Sequence, residues 1–67
     1  MKKEMIEKAA KAYKAGKRWA VIAQYGHANY EGGDIISRHI TYNLAQAAAR
    51  RSGYDSFRAV RELAEYI

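Results

Sequence analysis

Residues 18–43 read R-W-A-V-I-A-Q-Y-G-H-A-N-Y-E-G-G-D-I-I-S-R-H-I-T-Y-N, two apolar, β-branched and aromatic runs separated by turn formers. Such side chains suit a pleated, half-buried surface, so residues 19–25 and 35–40 are expected to be the strands of an antiparallel hairpin. Residues 26–34 connect them and carry Gly26, Gly32, Gly33, Asn29 and Asp34, types that reach or tolerate turn conformations. The connection is too long for a two-residue turn. Alternation puts Trp19, Val21, Ala23 and Tyr25 on one face of the first strand and Ala20, Ile22 and Gln24 on the other. In the second strand, Ile36, Arg38 and Ile40 share a face opposite Ile35, Ser37 and His39. Neither face is cleanly polar. Because a lone hairpin is only marginally stable, helices or a partner must cover it.

Working outward, residues 3–15 are strong helix formers with apolar positions at Met5 or Ile6, Ala9 or Ala10, and Tyr13, and Gly16 is placed to end the helix. The polar side of this helix gathers Lys3, Lys11 and Lys14, with Arg18 following. After the hairpin, Thr41 is an N-cap candidate for an alanine-rich helix that ends in Arg50 and Arg51 and stops at Gly53. Arginines in a last turn suit the negative end of the helix dipole. Leu44, Ala45, Ala47, Ala48 and Ala49 offer this helix small or apolar positions for close approach to the strands. In the tail, Asp55 or Ser56 can cap a third helix whose stripe is Phe57, Val60, Ala64 and Ile67, with Leu63 beside it. A competing reading makes residues 57–62 a third strand, which scatters apolar residues over both faces. The expected architecture is therefore a single α+β domain spanning residues 1–67, in the order helix, two-stranded antiparallel hairpin, helix, helix. An all-helical bundle is the runner-up.

At 67 residues with no cysteine, the chain has a small core and neither a disulfide framework nor a thiolate metal site. Two histidines are too few for a zinc site without carboxylates, and no cofactor is expected. No run approaches the roughly 18 apolar residues of a membrane span, and M-K-K-E-M-I-E-K lacks the apolar segment of a signal peptide, so the expected location is cytoplasmic. Twelve Lys and Arg against seven Asp and Glu give a net charge of +5. The excess is concentrated before Trp19, which points to an anionic partner: nucleic acid, a nucleoprotein or an acidic protein face.

Candidate chemistry is sparse. Gly32-Gly33 lacks the spacing of a phosphate-binding loop and reads as a turn. Ser37 and His39 lie two apart on a strand and can touch, yet nucleophilic catalysis would also need an orienting acid and an oxyanion hole. A non-enzymatic binding role follows, carried by Lys11, Lys14, Lys17, Arg18, Arg38, His39, Arg50 and Arg51. Six tyrosines and one tryptophan among these cations are a mixture that can stack on bases while pairing with phosphates. Trp19, Tyr25 and Phe57 are assigned to the core. Tyr30, in the loop beside His27 and Asn29, is the aromatic expected to meet a partner. A homodimer through a strand edge or the alanine-rich helix is a further expectation from the small core.

Residues 41–63, with Ala49-x-x-x-Gly53 and a helix beginning near Asp55, resemble a helix-turn-helix, which implies a DNA-reading regulator. The buried positions depart from that pattern, since Val60 and Leu63 each fall one residue late and leave Glu62 where the core should be. Over residues 19–53, a strand, S-R-H-I-T-Y and an alanine-rich helix ending in R-R resemble short orphan proteins of phages and mobile elements. In outline the stretch is also similar to the arm-binding domains of phage integrases. The group includes anti-CRISPR proteins, so the resemblance implies an inhibitor that occludes a nucleic-acid or nucleoprotein surface in a host cytoplasm.

Overall fold

In a computed structural model that describes residues 3–67, the chain is α+β, with a three-stranded antiparallel sheet where a two-stranded hairpin was expected. Helix α1 (Lys3–Lys14) leads into strand β1 (Trp19–Ala23), and strand β2 (Ile35–His39) returns beside it. Helix α2 (Tyr42–Arg51) follows. Strand β3 (Arg58–Glu62) comes last, between 3-10 turns at Asp55–Phe57 and Leu63–Tyr66. The strand order is β2-β1-β3, so the first strand in sequence lies at the centre. Met1 and Lys2 lie outside the described residues. No helix among the described residues is long and apolar enough to cross a membrane.

Both helices end as their glycines dictate. Gly16 sits at φ +104°, its N–H donates to the Tyr13 carbonyl at 3.1 Å, and the N–H of Lys17 reaches the Ala12 carbonyl at 3.0 Å. These two bonds are a Schellman cap, a backbone path that an L side chain at residue 16 would strain. In α2 the Thr41 hydroxyl accepts from the N–H of Leu44 at 3.2 Å, and Gly53 at φ +78° donates to the Arg50 carbonyl at 3.3 Å.

The helices cover opposite faces of the sheet. Ala20 and Ile22 face α1, where they join Ala9, Ile35 and Leu63, whereas Val21 faces α2 with Ala45, Ala49, Trp19, Ile36 and Val60. Ala20, Val21, Ile22 and Ala23 are consequently all buried, as a strand covered on both sides requires. The contact side chains on the helices are mainly alanine, so the large buried groups are few. Leu63 and Val21 are the largest fully buried side chains, and burying each contributes about 1.5–3 kcal/mol.

Several expectations are corrected here. The tail is not a helix: residues 58–62 pair antiparallel with β1, from Trp19 opposite Glu62 to Ala23 opposite Arg58. The helix-turn-helix outline loses its second helix for the same reason. The apolar scatter of residues 57–62 becomes correct once the sheet has two covered faces, because Ala59 packs toward α1 and Val60 toward α2. Within the hairpin, a bulge at Ile36 breaks the alternation. Val21 pairs with Ser37 while Ile22 pairs with Ile35, so Ile35 and Arg38 share the α1 face, and Ile36 is the extra residue, packing toward α2. Leu44, Ile6 and Tyr13 are exposed instead of core-facing, because Ala45 and Ala49 in one helix and Ala9 and Ala12 in the other make the contacts.

Candidate nucleic-acid interface

Two separate segments set positive charge against His39 of β2. The N–H of Arg18 donates to the His39 carbonyl at 2.9 Å, which sets the residues just after α1 against the end of β2. The charges of Lys17, just after α1, and of Arg51, in the last turn of α2, both act on the imidazole. Partial burial of His39, with Lys17 and Arg51 adding to it, holds the imidazole below its usual titration range. Its Nε2 lies 2.8 Å from the Ser37 hydroxyl. A Ser–His contact of that length invites a nucleophile reading, but the charged groups acting on this imidazole are cations, where a catalytic pair needs an orienting carboxylate. The pocket of charge is suited to an anion.

The remaining cations are distributed differently. Arg18 lies 4.1 Å over the Tyr13 ring and donates to the carbonyls of Tyr13 and Lys17 at 2.8 and 2.9 Å, so part of its donor capacity serves the C-terminus of α1. Lys11 and Lys14 are exposed on α1, on the other side of the sheet from α2. Arg50 is exposed at the end of α2. Arg38 also belongs to the α1 side, lining a shallow cleft with Lys8, Glu4, Met5, Tyr30 and Ile35, and its Nε is buried without a hydrogen-bond partner. Lys17 and Arg51 thus both act on His39, while the Arg18 guanidinium lies on Tyr13 of α1, near Glu62, and Lys11, Lys14 and Arg38 are on the α1 side of the sheet.

Sequence reasoning missed a second constellation, at the end of the sheet where β1 leaves for its loop and β3 enters. His27 stacks on Phe57 with centroids 5.6 Å apart and planes 26° from parallel, and Tyr54 and Tyr30 lie 5.1 and 5.9 Å from the same imidazole. Tyr25 meets Phe57 edge to face at 6.4 Å. Arg58 sits 5.6 Å from the centroids of both Tyr30 and Tyr54 and donates from Nε to His27 Nε2 at 2.9 Å. A guanidinium has no acceptor to offer, so Nε2 must be the unprotonated nitrogen. Nδ1 then carries the proton and donates to the Tyr25 carbonyl at 2.9 Å. Tyr30, expected to be exposed in isolation, is half-buried in this cluster, and Tyr25 and Phe57, expected in the core, are 61% and 40% exposed. The available signal was compositional: His27, Tyr30, Tyr54, Phe57 and Arg58 flank the two ends of a strand pair whose existence depended on β3.

Among the described residues no group of three or more His, Asp or Glu side chains could hold a metal ion. No protein-family model matches the chain, and neither a curated protein nor a solved structure matches it.

Proposed function

We propose that this is a non-enzymatic nucleic-acid-binding protein whose phosphate contacts centre on Lys17, His39 and Arg51, with Arg50 preceding Arg51 in the last turn of α2. The observation that carries this reading is that Lys17, from the α1–β1 connection, and Arg51, from α2, both act on the His39 imidazole of β2. Like charges brought together at the surface of a domain with a net charge of +5 repel one another, and a polyanion relieves that repulsion. Each phosphate neutralised also releases condensed counterions, so affinity depends steeply on salt. A nucleoprotein target, as the resemblance to mobile-element inhibitors implies, would present phosphates to the same residues, and the mechanism would be occlusion of that surface.

The test is a titration of labelled single-stranded and duplex oligonucleotides across a salt series. Binding is expected at low salt, falling linearly on logarithmic axes. Lys17→Glu combined with Arg51→Glu is expected to flatten the slope by about two and to weaken binding far more than Lys11→Glu with Lys14→Glu. Titrations that stay flat at low salt would overturn the reading and turn attention to a protein partner.

A further inference from the structure

The geometry points to the ring cluster around His27 as a stacking site for unpaired nucleobases, which makes single-stranded nucleic acid the substrate class; this rests on the nucleic-acid reading above. Large aromatic surfaces in a small protein are usually spent on its core, where they remove the most apolar area from water. Here Tyr13, Tyr25, Tyr42, Tyr54 and Phe57 are all exposed, and three of these five lie together. Tyr25 is 61% exposed, Tyr54 42% and Phe57 40%, all at one end of the sheet. Phe57 stacks on His27 and stands edge to face with Tyr25 and Tyr54, and it remains exposed within that group of rings.

The surroundings of these rings select their occupant. An apolar protein segment or a lipid surface would have to desolvate the Arg58 guanidinium that lies among the rings, and the two exposed arginines, Arg50 and Arg51, that precede Tyr54 by four and three residues. A nucleotide strand presents a flat apolar base and an anionic phosphate in each repeat. It satisfies both features at once. Arg50 and Arg51 close α2 just before Tyr54, so a strand whose bases lie on Phe57, Tyr54 and Tyr25 can set its backbone against the end of that helix. Asp55 is exposed beside Tyr54 and disfavours a phosphate at that point, which places the backbone on the α2 side of the rings. Paired bases are hidden within their own stack, so a duplex reaches the cations and not the rings.

The experiment compares an oligothymidylate with a duplex of equal length, using the wild-type chain, Tyr54→Leu with Phe57→Leu, Tyr25→Leu and Tyr25→Phe. Leucine keeps apolar volume and removes the π-face, so a purely structural role for the rings would survive it. Trp19, packed on Tyr42 at 5.0 Å, reports folding of each variant by its fluorescence. The expected result is tighter binding of the single strand and a loss of roughly 5- to 150-fold for each stacked base abolished, with the salt slope unchanged and duplex binding unaffected. Tyr25→Phe should bind as wild type. Should the double leucine variant fail to fold, Tyr25→Leu at the most exposed of the rings carries the comparison. Folded leucine variants that bind the single strand like wild type, with salt-dependent binding intact, would overturn the stacking site and leave the charge-based reading standing. An absence of binding to both oligonucleotides at low salt would overturn the two together.

Discussion

His39, at the end of β2, and His27, in the loop after β1, lie in opposite kinds of surroundings. His39 is set among cations from other segments, and its Nε2 contacts a hydroxyl. His27 is set among rings, with Nε2 accepting from Arg58 and Nδ1 donating to a carbonyl, so both nitrogens are committed and a doubly protonated ring would have to surrender Arg58. The difference shows how one chain can divide recognition. The region around His39 is acted on by charges from two other segments and borders the Trp19–Tyr42 pair, and the region around His27 gathers rings around the half-buried Arg58. On the proposed function, phosphate affinity would belong to the first and base stacking to the second.

The comparison breaks most completely if the scaffold common to the two regions fails. Leu63 is fully buried and fixes the turn after β3 beneath α1, so Leu63→Ala is expected to cost about 2–5 kcal/mol, a large part of the stability of so small a domain. Urea unfolding followed by Trp19 fluorescence and by tyrosine circular dichroism should show both signals shifting together. Tyrosine signals that persist after Trp19 has unfolded would mean that the regions are separate cooperative units.

Next in size is the effect of charge alone. Lys17→Glu with Arg51→Glu should weaken oligonucleotide binding by about tenfold or more at low salt, and the loss should shrink as salt rises. The leucine variants of the ring cluster should lose affinity equally at all salt concentrations. Identical salt profiles for the two sets would erase the division between the regions.

A smaller effect is the pH dependence at His39. Its folded-state titration lies below that of the unfolded chain, so at neutral pH and above the group is neutral in both states and costs nothing. As pH falls from the unfolded value of about 6.5 toward the lower folded one, the unfolded chain takes up the proton first and stability is lost. His39→Gln should remove that part of the acid sensitivity in thermal unfolding measured at neutral and mildly acidic pH. Phosphate binding favours the imidazolium, so wild-type affinity should rise over the same interval and the rise should vanish in His39→Gln.

The smallest expected change concerns the loop that delivers His27 and Tyr30. Their backbones bond in both directions at 3.1 and 2.9 Å, which forces Ala28 to φ +49° between them. Ala28→Gly relieves that left-handed strain but loosens the unfolded chain, for a net gain of less than about 1 kcal/mol. A small rise in thermal midpoint with unchanged oligonucleotide affinity is expected. A fall in the midpoint would show that Ala28 is not strained.

Much of the architecture was legible residue by residue. Gly16, Thr41 and Gly53 marked helix ends through local chemistry, and Trp19, Val21 and Ile22 announced a strand because aromatic and β-branched side chains suit a pleated surface. The site was less legible. Lys17 and Arg51 are thirty-four positions apart in sequence and His39 belongs to neither segment, so their convergence on one imidazole has no periodic signature. The ring cluster was hidden more deeply, because Tyr25 and Phe57 look like core residues until both are found at the rim of the sheet.

The tail shows where local information ends. By itself the sequence determined two helices, their caps, the two strands of a hairpin and an excess of positive charge. Only the tertiary structure decided that residues 58–62 extend. A central strand buried on both faces has peptide groups on two edges, and the side of β1 turned away from β2 is satisfied by the bonds of Gln24 N–H to the Phe57 carbonyl at 2.8 Å and of Leu63 N–H to the Arg18 carbonyl at 2.8 Å. Satisfying those buried groups outweighs the helical spacing of Phe57, Val60, Ala64 and Ile67, and it brings Tyr54, Phe57 and Arg58 to His27.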